Sequence, residues 1–148
     1  MRTILVCLLG TLLGCGADSV PPPSFTPEHR QTIKQNLIKL GTKVTAEDPE
    51  ELYLSLRNTH LEVRDLGGII HGTWQTHRDI QDFAIANEAV ARGFLEAAEF
   101  EDFTKWLRKA LSPNAAAVHR SEYHRFKVTL SRKPLRTVFT GKHSAEEE

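Results

Sequence analysis

The chain has 148 residues, of which 40% are hydrophobic and 26% are charged, a composition typical of one globular domain. Its 19 basic and 19 acidic side chains cancel, so the formal net charge is zero with histidine neutral. No internal repeat and no sustained heptad pattern occurs, which excludes a solenoid and a long coiled coil.

The beginning of the chain has the pattern of an export signal. A short head with one basic residue, Arg2, precedes a ten-residue apolar stretch over 4–13 that only Gly10 and Thr11 interrupt. As a helix rising ~1.5 Å per residue, this stretch has about half the length needed to cross the ~30 Å hydrocarbon layer of a membrane. It therefore predicts a signal peptide over residues 1–14 rather than a permanent membrane anchor.

The residues that end this stretch, Leu12-Leu13-Gly14-Cys15, resemble the lipobox of bacterial lipoproteins. In that family a Leu and two small or apolar residues precede the Cys that begins the mature chain. The resemblance implies cleavage before Cys15, a diacylglycerol on its thiol and often acylation of the new amine. Several acyl chains supply the two or more hydrophobic signals that stable anchoring needs. Residue 16 is Gly rather than Asp, which by resemblance to enterobacterial lipoproteins favours the outer membrane where the source has one.

Two other interpretations of the N-terminus stay open. Cys15-Gly16-Ala17 has the small residues of an ordinary signal-peptidase site, which would release a soluble exported protein starting at Asp18. Alternatively, the apolar segment is a buried N-terminal helix. The cysteine count favours lipidation: Cys7 lies within the signal and Cys15 takes the lipid, so no thiol remains for a disulfide or a zinc site.

Residues 15–26 are predicted to form a Pro-rich tether, which the lipobox resemblance implies is lipidated at Cys15. They include three consecutive prolines, 21–23, which favour an extended, polyproline-like conformation. At ~3.1 Å per residue, residues 16–26 would reach roughly 35 Å. That reach would hold a folded domain clear of the lipid headgroups.

Residues 27–131 are predicted to form a helical domain. Pro27 follows a capping hydroxyl, and Ile33 and Leu37 recur at helical spacing. Asp48 and Glu51 form a potential capping box for a second helix. The apolar stripe of that helix would be Leu52, Leu56, Val63, Leu66 and Ile70, with a kink expected at Gly67-Gly68.

Three further helices are predicted downstream, over about 73–98, over about 100–111, and from Ser112-Pro113 towards Pro134. Short connections between amphipathic helices predict an all-α fold, an up-and-down bundle of four to five helices. No alternating strand pair is evident, although Phe126–Leu130 and Arg136–Thr140 could pair weakly. Residues 132–148, basic and then acidic, are predicted to be a disordered tail.

No catalytic or metal-binding motif stands out. A helical metal site needs ligands three or four residues apart, and none of the seven histidines has that spacing to another. No Gly-x-Ser-x-Gly turn and no glycine-rich phosphate loop occurs. The sequence therefore predicts no catalytic residue, no resident metal and no cofactor. Residues of types enriched at binding surfaces, for which packing is the favoured explanation, are Trp74, His77, Arg78, Trp106 and Tyr123.

Charge is distributed unevenly along the chain. Residues 15–104 hold 8 basic and 15 acidic side chains, whereas residues 105–142 hold 10 basic side chains and only Glu122 as an acid. One explanation is that a basic C-terminal helix packs beside acidic earlier helices. The other is a basic patch that binds phospholipid headgroups, lipopolysaccharide or cell-wall polymer, since nucleic acid does not fit an exported compartment. The patch would comprise Arg120, Arg125, Lys127, Arg132, Lys133 and Arg136.

Together these features predict a lipid-anchored protein of the bacterial cell envelope with a binding or structural role rather than an enzymatic one. Two alternatives remain. The first is a soluble exported helical module that holds a small apolar ligand between its helices. The second is an envelope enzyme whose site has no recognisable motif.

Overall fold

Helices and strands alternate in blocks along the chain. The computed structural model describes residues 27–64 and 67–142, and these form three helices and seven strands. The helices are α1 (Pro27–Lys39), α2 (His77–Phe94) and α3 (Ala97–Ala110). The strands are β1 (Lys43–Glu47), β2 (Glu51–Leu56), β3 (Thr59–Arg64), β4 (Gly67–Gly72), β5 (Val118–Glu122), β6 (Phe126–Arg132) and β7 (Leu135–Gly141). The predicted signal peptide, the tether and residues 143–148 lie outside the described residues.

The predicted all-α bundle is wrong, because the described residues form a mixed α/β fold around a seven-stranded antiparallel sheet. The predicted second helix is replaced by β2, β3 and β4. Every second residue of β2 is buried, namely Leu52, Leu54 and Leu56. A spacing of four residues fits a helix of period 3.6 and also a strand of period 2, and the stripe that began with Leu52 and Leu56 was consistent with both.

The C-terminal third is also a set of strands. Residues 118–141 contain β5, β6 and β7, where a fifth helix and part of a disordered tail were predicted. The register of β6 and β7 places Val128 opposite Phe139 and Leu130 opposite Thr137. All four of these residues are buried, so this hairpin contributes to the core. Pro134 lies in the turn between the two strands rather than at the end of a helix.

The sheet has the strand order β1–β2–β3–β4–β7–β6–β5, and every pairing is antiparallel. The first four strands form a meander and the last three form another. The two meanders join where β4 pairs with β7. In the described residues α2 packs against β3 and β4, α3 packs against β5, and α1 packs against α2. The fold therefore has two layers, with helices on one side of the sheet.

Helices α1, α2 and α3 form close to three of the segments for which helices were predicted, namely the one beginning at Pro27 and those over about 73–98 and about 100–111. Thr76 and Asp79 cap the N-terminus of α2 reciprocally, because the Thr76 hydroxyl accepts from the Asp79 amide and the Asp79 carboxylate accepts from the Thr76 amide. Helix α1 approaches α2 closely at Gly93, where an added Cβ would lie 2.3 Å from Cγ1 of Ile33. No helix in the described residues has the length and apolar character needed to span a membrane.

Aromatic side chains fill the space between the helices and the sheet. The rings of Phe94 and Phe126 are stacked with centroids 4.5 Å apart. The rings of Phe103 and Phe139 lie 5.7 Å apart. Because three of these four rings are almost fully buried, they bind α2 and α3 to β6 and β7 by apolar burial. None of the three helices of residues 27–64 and 67–142 lies on the opposite side of the sheet.

Candidate anion-binding face

The side of the sheet opposite the helices carries every second residue of its strands. We call this surface the open face. It holds residues 51, 53 and 55 of β2, 60, 62 and 64 of β3, 69 and 71 of β4, 136, 138 and 140 of β7, 127, 129 and 131 of β6, and 118, 120 and 122 of β5. None of these side chains is buried. Polar and charged residues predominate, which is the expected composition for the solvated face of an antiparallel sheet.

On the β2–β3 half of the open face, charges are paired with one another. Nε of Arg64 lies 3.0 Å from Oε1 of Glu51, and Nη2 of Arg64 contacts Glu62. The Tyr53 hydroxyl donates to Oε2 of Glu51 over 2.5 Å. This hydrogen bond to the carboxylate raises the pKa of the Tyr53 phenol. The acidic groups of this half are therefore engaged by their neighbours.

The β7–β6–β5 half of the open face is basic. Arg136, Lys127 and Arg120 come from three adjacent strands, and Glu122 is the one carboxylate among the open-face positions of these strands. Glu122 lies opposite Lys127 in the register and its Oε1 is 2.5 Å from Nζ of Lys142. Within the described part of the chain, no carboxylate forms an ion pair with Arg120 or Arg136. The half therefore presents positive charge to solvent.

Of the six basic residues predicted as an anionic-partner patch, the fold places three on the open face and three elsewhere. Arg120, Lys127 and Arg136 lie on the open face. Arg125 lies in the β5–β6 turn and Lys133 in the β6–β7 turn, at opposite ends of the sheet. The predicted basic C-terminal helix does not exist, because its residues form strands. Cys15, the predicted lipidation site, lies outside the described residues.

Arg132 is the sixth member and it points to the helix side of the sheet. Its Nη1 donates to the carbonyl oxygens of Ser112 and Ala115 at 2.7 Å and 3.1 Å. Its guanidinium carbon lies 3.9 Å from the centre of the Trp74 ring, a cation–π geometry. Arg132 therefore holds the loop between α3 and β5 against Trp74. A cleft of about 570 Å³ lies beside this contact and extends to Lys133.

Two histidines that sequence reasoning set aside lie on the open face beside Arg136. The register places His60 of β3 opposite His71 of β4, and His71 opposite Arg136 of β7. Partial desolvation by its neighbours, the charge of Arg136 and the proximity of His60 lower the pKa of His71, while Glu62 acts in the opposite direction. Eleven positions separate the histidines in the sequence, so a search for helical spacing missed them. The alternation His60-Leu61-Glu62-Val63 was the available signal, since it predicts a strand with His60 on its polar side.

Other polar candidates have packing roles or lie apart from this face. Tyr123 is 8% exposed and its ring lies 6.2 Å from that of Phe103, and Trp106 packs against the core. His29 and Arg125 line a small cleft of about 130 Å³ near the β5–β6 turn. Burial and the charge of Arg125 lower the pKa of His29. Across residues 27–64 and 67–142, no three His, Cys, Asp or Glu side chains are grouped so that they could hold a metal ion.

Comparison with known proteins gives no independent assignment. The chain matches no protein-family model, no curated protein and no solved structure at a significant level. The chemistry of the open face is therefore the basis on which a function is argued.

Proposed function

We propose that this chain is a lipid-anchored protein of the bacterial cell envelope that binds anionic phospholipid headgroups through the basic half of its open face. The observation that supports this most directly is the grouping of Arg120, Lys127 and Arg136 on three adjacent strands, facing away from the helix layer. The proposed role is binding and not catalysis. The lipid anchor rests on the resemblance of residues 12–15 to a lipobox.

The attraction between the basic residues and the headgroups contributes only a modest binding free energy. The proposal therefore also depends on the lipid anchor. A basic side chain near an anionic membrane surface contributes about 1 kcal/mol, and the contribution falls off within a Debye length of about 8 Å. Three such residues give weak binding from free solution. A lipid on Cys15 would keep the domain at the membrane, so that the weak face would act at a high effective concentration. The tether length of roughly 35 Å estimated from residues 16–26 would let the open face turn towards the bilayer.

The anchor is tested by metabolic labelling with an alkyne analogue of palmitate. Wild type and Cys15→Ala are expressed in a bacterial host, and the label is read in the membrane and soluble fractions. We expect labelled wild type in the membrane fraction and no label on the variant. Equal labelling of both, or labelling of neither, would refute lipidation at Cys15.

The headgroup interaction is tested by flotation of the purified full chain with vesicles. One set of vesicles contains phosphatidylcholine alone, and the other also contains phosphatidylglycerol. The difference between the two sets removes the contribution of the N-terminal segment, which is common to both. Replacing Arg120, Lys127 and Arg136 with Gln is expected to reduce the phosphatidylglycerol-dependent binding by about fivefold per residue.

A matched variant carries the same loss of charge on the helix layer. Lys105, Arg108 and Lys109 are exposed on α3, and replacing them with Gln removes three positive charges from the side away from the open face. We expect this variant to float like wild type. Equal losses in the two triple variants would mean that net charge alone drives binding, which would contradict the assignment to the open face. If the protein binds cell-wall polymer or lipopolysaccharide but does not bind the anionic vesicles, that polymer or lipopolysaccharide replaces phospholipid as the partner.

A further inference from the structure

Three side chains with N–H donors lie in one row across the three central strands of the open face, towards the end of the sheet that holds the β2–β3 and β6–β7 turns. His60, His71 and Arg136 occupy consecutive positions on β3, β4 and β7, each opposite the next in the register. Neighbouring side chains on one face of a sheet have Cβ atoms about 5 Å apart, so the row spans roughly 10 Å. Ser55 lies opposite His60 at one end, and Ser131 lies opposite Arg136 at the other. The row therefore carries hydroxyl donors on both flanks.

Arg136 is positioned to receive a ligand. Its side chain is half-buried, and its Nε atom is buried without a hydrogen-bond partner among the described residues. No ion pair to Arg136 is present in the described part of the chain. A guanidinium binds two oxygens of a phosphoryl group at once, because its donors form a planar fork. A buried donor without a partner adds a reason for an oxyanion to bind, since satisfying it recovers a desolvation cost.

We propose that the row His60–His71–Arg136 is a binding site for a phosphoryl oxyanion and that the site takes up a proton when the oxyanion binds. This rests on the proposed function, because it identifies where on the open face a phospholipid headgroup is held. The shared chemistry is a phosphate group, carried either by a lipid headgroup or by free inorganic phosphate. Arg136 supplies the permanent charge, and the His71 imidazole supplies charge that depends on pH.

The proton uptake follows from the groups that face His71. Partial desolvation, Arg136 on β7 and His60 on β3 all disfavour its cationic form, and Glu62 on β3 favours it. Glu62 is itself engaged by Arg64, and no helix lies on this side of the sheet among the described residues. An anion placed between His71 and Arg136 offsets the positive charge of Arg136 and adds an attraction of its own, so it favours the imidazolium. The site then binds more tightly at lower pH, by up to about tenfold per pH unit for each proton taken up.

The test uses the full chain in maltoside micelles with histidine labelled at Cε1, so that each imidazole is followed by NMR. The probe is glycerophosphoglycerol, the soluble headgroup of phosphatidylglycerol, whose diester stays singly charged over the range used. We expect the His60 and His71 resonances to shift on titration, the midpoint of His71 titration to rise, and the dissociation constant to fall at least threefold between about pH 7.5 and about pH 6. Inorganic phosphate, titrated at the higher pH, shows by its relative affinity which source of phosphate the site prefers.

Variants separate the two components of the site. His71→Asn is expected to retain binding at the higher pH and to lose most of the pH dependence, whereas Arg136→Gln weakens binding at both values. His124→Asn, a change in the β5–β6 turn at the other end of the sheet, should alter neither. Unmoved His60 and His71 resonances in wild type would overturn the site, and so would shifts that persist unchanged in Arg136→Gln.

The outcome is distinguishable from failure of the proposed function. If flotation depends on the basic half but neither phosphate probe moves the two histidines, the site is refuted and the surface attraction stands. If the probes bind at the row but flotation shows no phosphatidylglycerol dependence, the phospholipid function is refuted and the phosphate site stands.

Discussion

Arg57 and Asp82 form a bifurcated ion pair, in which the single atom Nη1 of Arg57 lies 2.8 Å and 3.0 Å from the two carboxylate oxygens. Arg57 lies in the β2–β3 turn and Asp82 lies in α2, so the contact joins the N-terminal meander to the helix layer. Beside it, Nδ2 of Asn58 donates to Oδ1 of Asp79 over 3.1 Å. Asp79 and Asp82 are each only 7% exposed, and both find their partners in this turn. The turn is thereby fixed to the first two turns of α2.

Removing the charge of Asp82 should lower stability. We expect Asp82→Asn to reduce the free energy of unfolding by about 1 kcal/mol, a small value because half of the Arg57 side chain is exposed to water. Denaturant unfolding measures the change. Glu88→Gln is the matched control, since it removes the same charge from the same helix and Glu88 has no ion pair among the described residues. A loss as large in the control would argue that helix charge, rather than the pairing, is responsible.

Stability should depend on pH through Asp79. The hydrogen bond from Asn58 is the main cause that lowers the pKa of this carboxyl, and the amide and hydroxyl of Thr76 add to the effect. A carboxyl whose pKa is lower in the folded state stabilises the fold fully above its unfolded value of about 3.9, and the contribution is lost as pH falls through the folded value. The difference in melting temperature between wild type and Asp79→Asn should therefore be constant near neutral pH and shrink in acid. A difference that grows in acid would contradict this.

The contact of α1 with α2 should make an ordinarily favourable substitution harmful. Gly to Ala within a helix usually stabilises by roughly 0.5–1 kcal/mol, but a Cβ at Gly93 would overlap the Ile33 side chain. We expect Gly93→Ala to destabilise the protein by about 1–3 kcal/mol. Combining it with Ile33→Ala should cost less than the sum of the two single changes, because the second change removes the clashing atoms. Thermal unfolding of the four proteins in this cycle measures the coupling, and additivity would refute the close approach.

Arg132 and Arg120 should separate stability from binding. Arg132→Gln removes two hydrogen bonds to the α3–β5 loop and the contact with Trp74, so it should lower the unfolding free energy by about 1–3 kcal/mol. It should leave anionic vesicle binding nearly unchanged. Arg120→Gln should lower anionic vesicle binding and leave the unfolding free energy nearly unchanged. Flotation and denaturant unfolding of both variants test this assignment, and a vesicle-binding loss in Arg132→Gln equal to that in Arg120→Gln would restore the six-residue patch read from the sequence.

The helices could be predicted and the strands were missed for a specific reason. Local chemistry marks helix starts, as the Thr76–Asp79 capping box does for α2, although the helix was predicted from periodicity to begin near residue 73. In β2, the four-residue spacing of Leu52 and Leu56 fits both the 3.6-residue period of a helix and the two-residue period of a strand. Only Leu54, which lies between them, favours the strand. For β6 and β7 only a weak strand pairing was considered, and most of β6 was assigned to a fifth helix and β7 to a basic, disordered tail. Pairing partners far apart in sequence supplied the missing information.

The site was partly predictable. The excess of basic residues over 105–142 located the positive segment, and three of the six residues named lie together on the open face. Which of them share a face depends on register, and Arg132 changes sides because β6 places it opposite Leu135. The proximity of His71 to Arg136 joins residues 65 positions apart, and no local pattern encodes that contact.

The pairing of β4 with β7 also determines when the sheet can be completed. A chain that emerges N-terminus first presents the β4 edge with unpaired amide and carbonyl groups until 135–141 arrive, after the whole of α2, α3, β5 and β6. Such a long loop closure slows folding and leaves an edge that invites pairing with other chains. Synthesis through residue 141 must therefore precede completion of the sheet, so the described domain reaches its native pairing only after its last strand has been made.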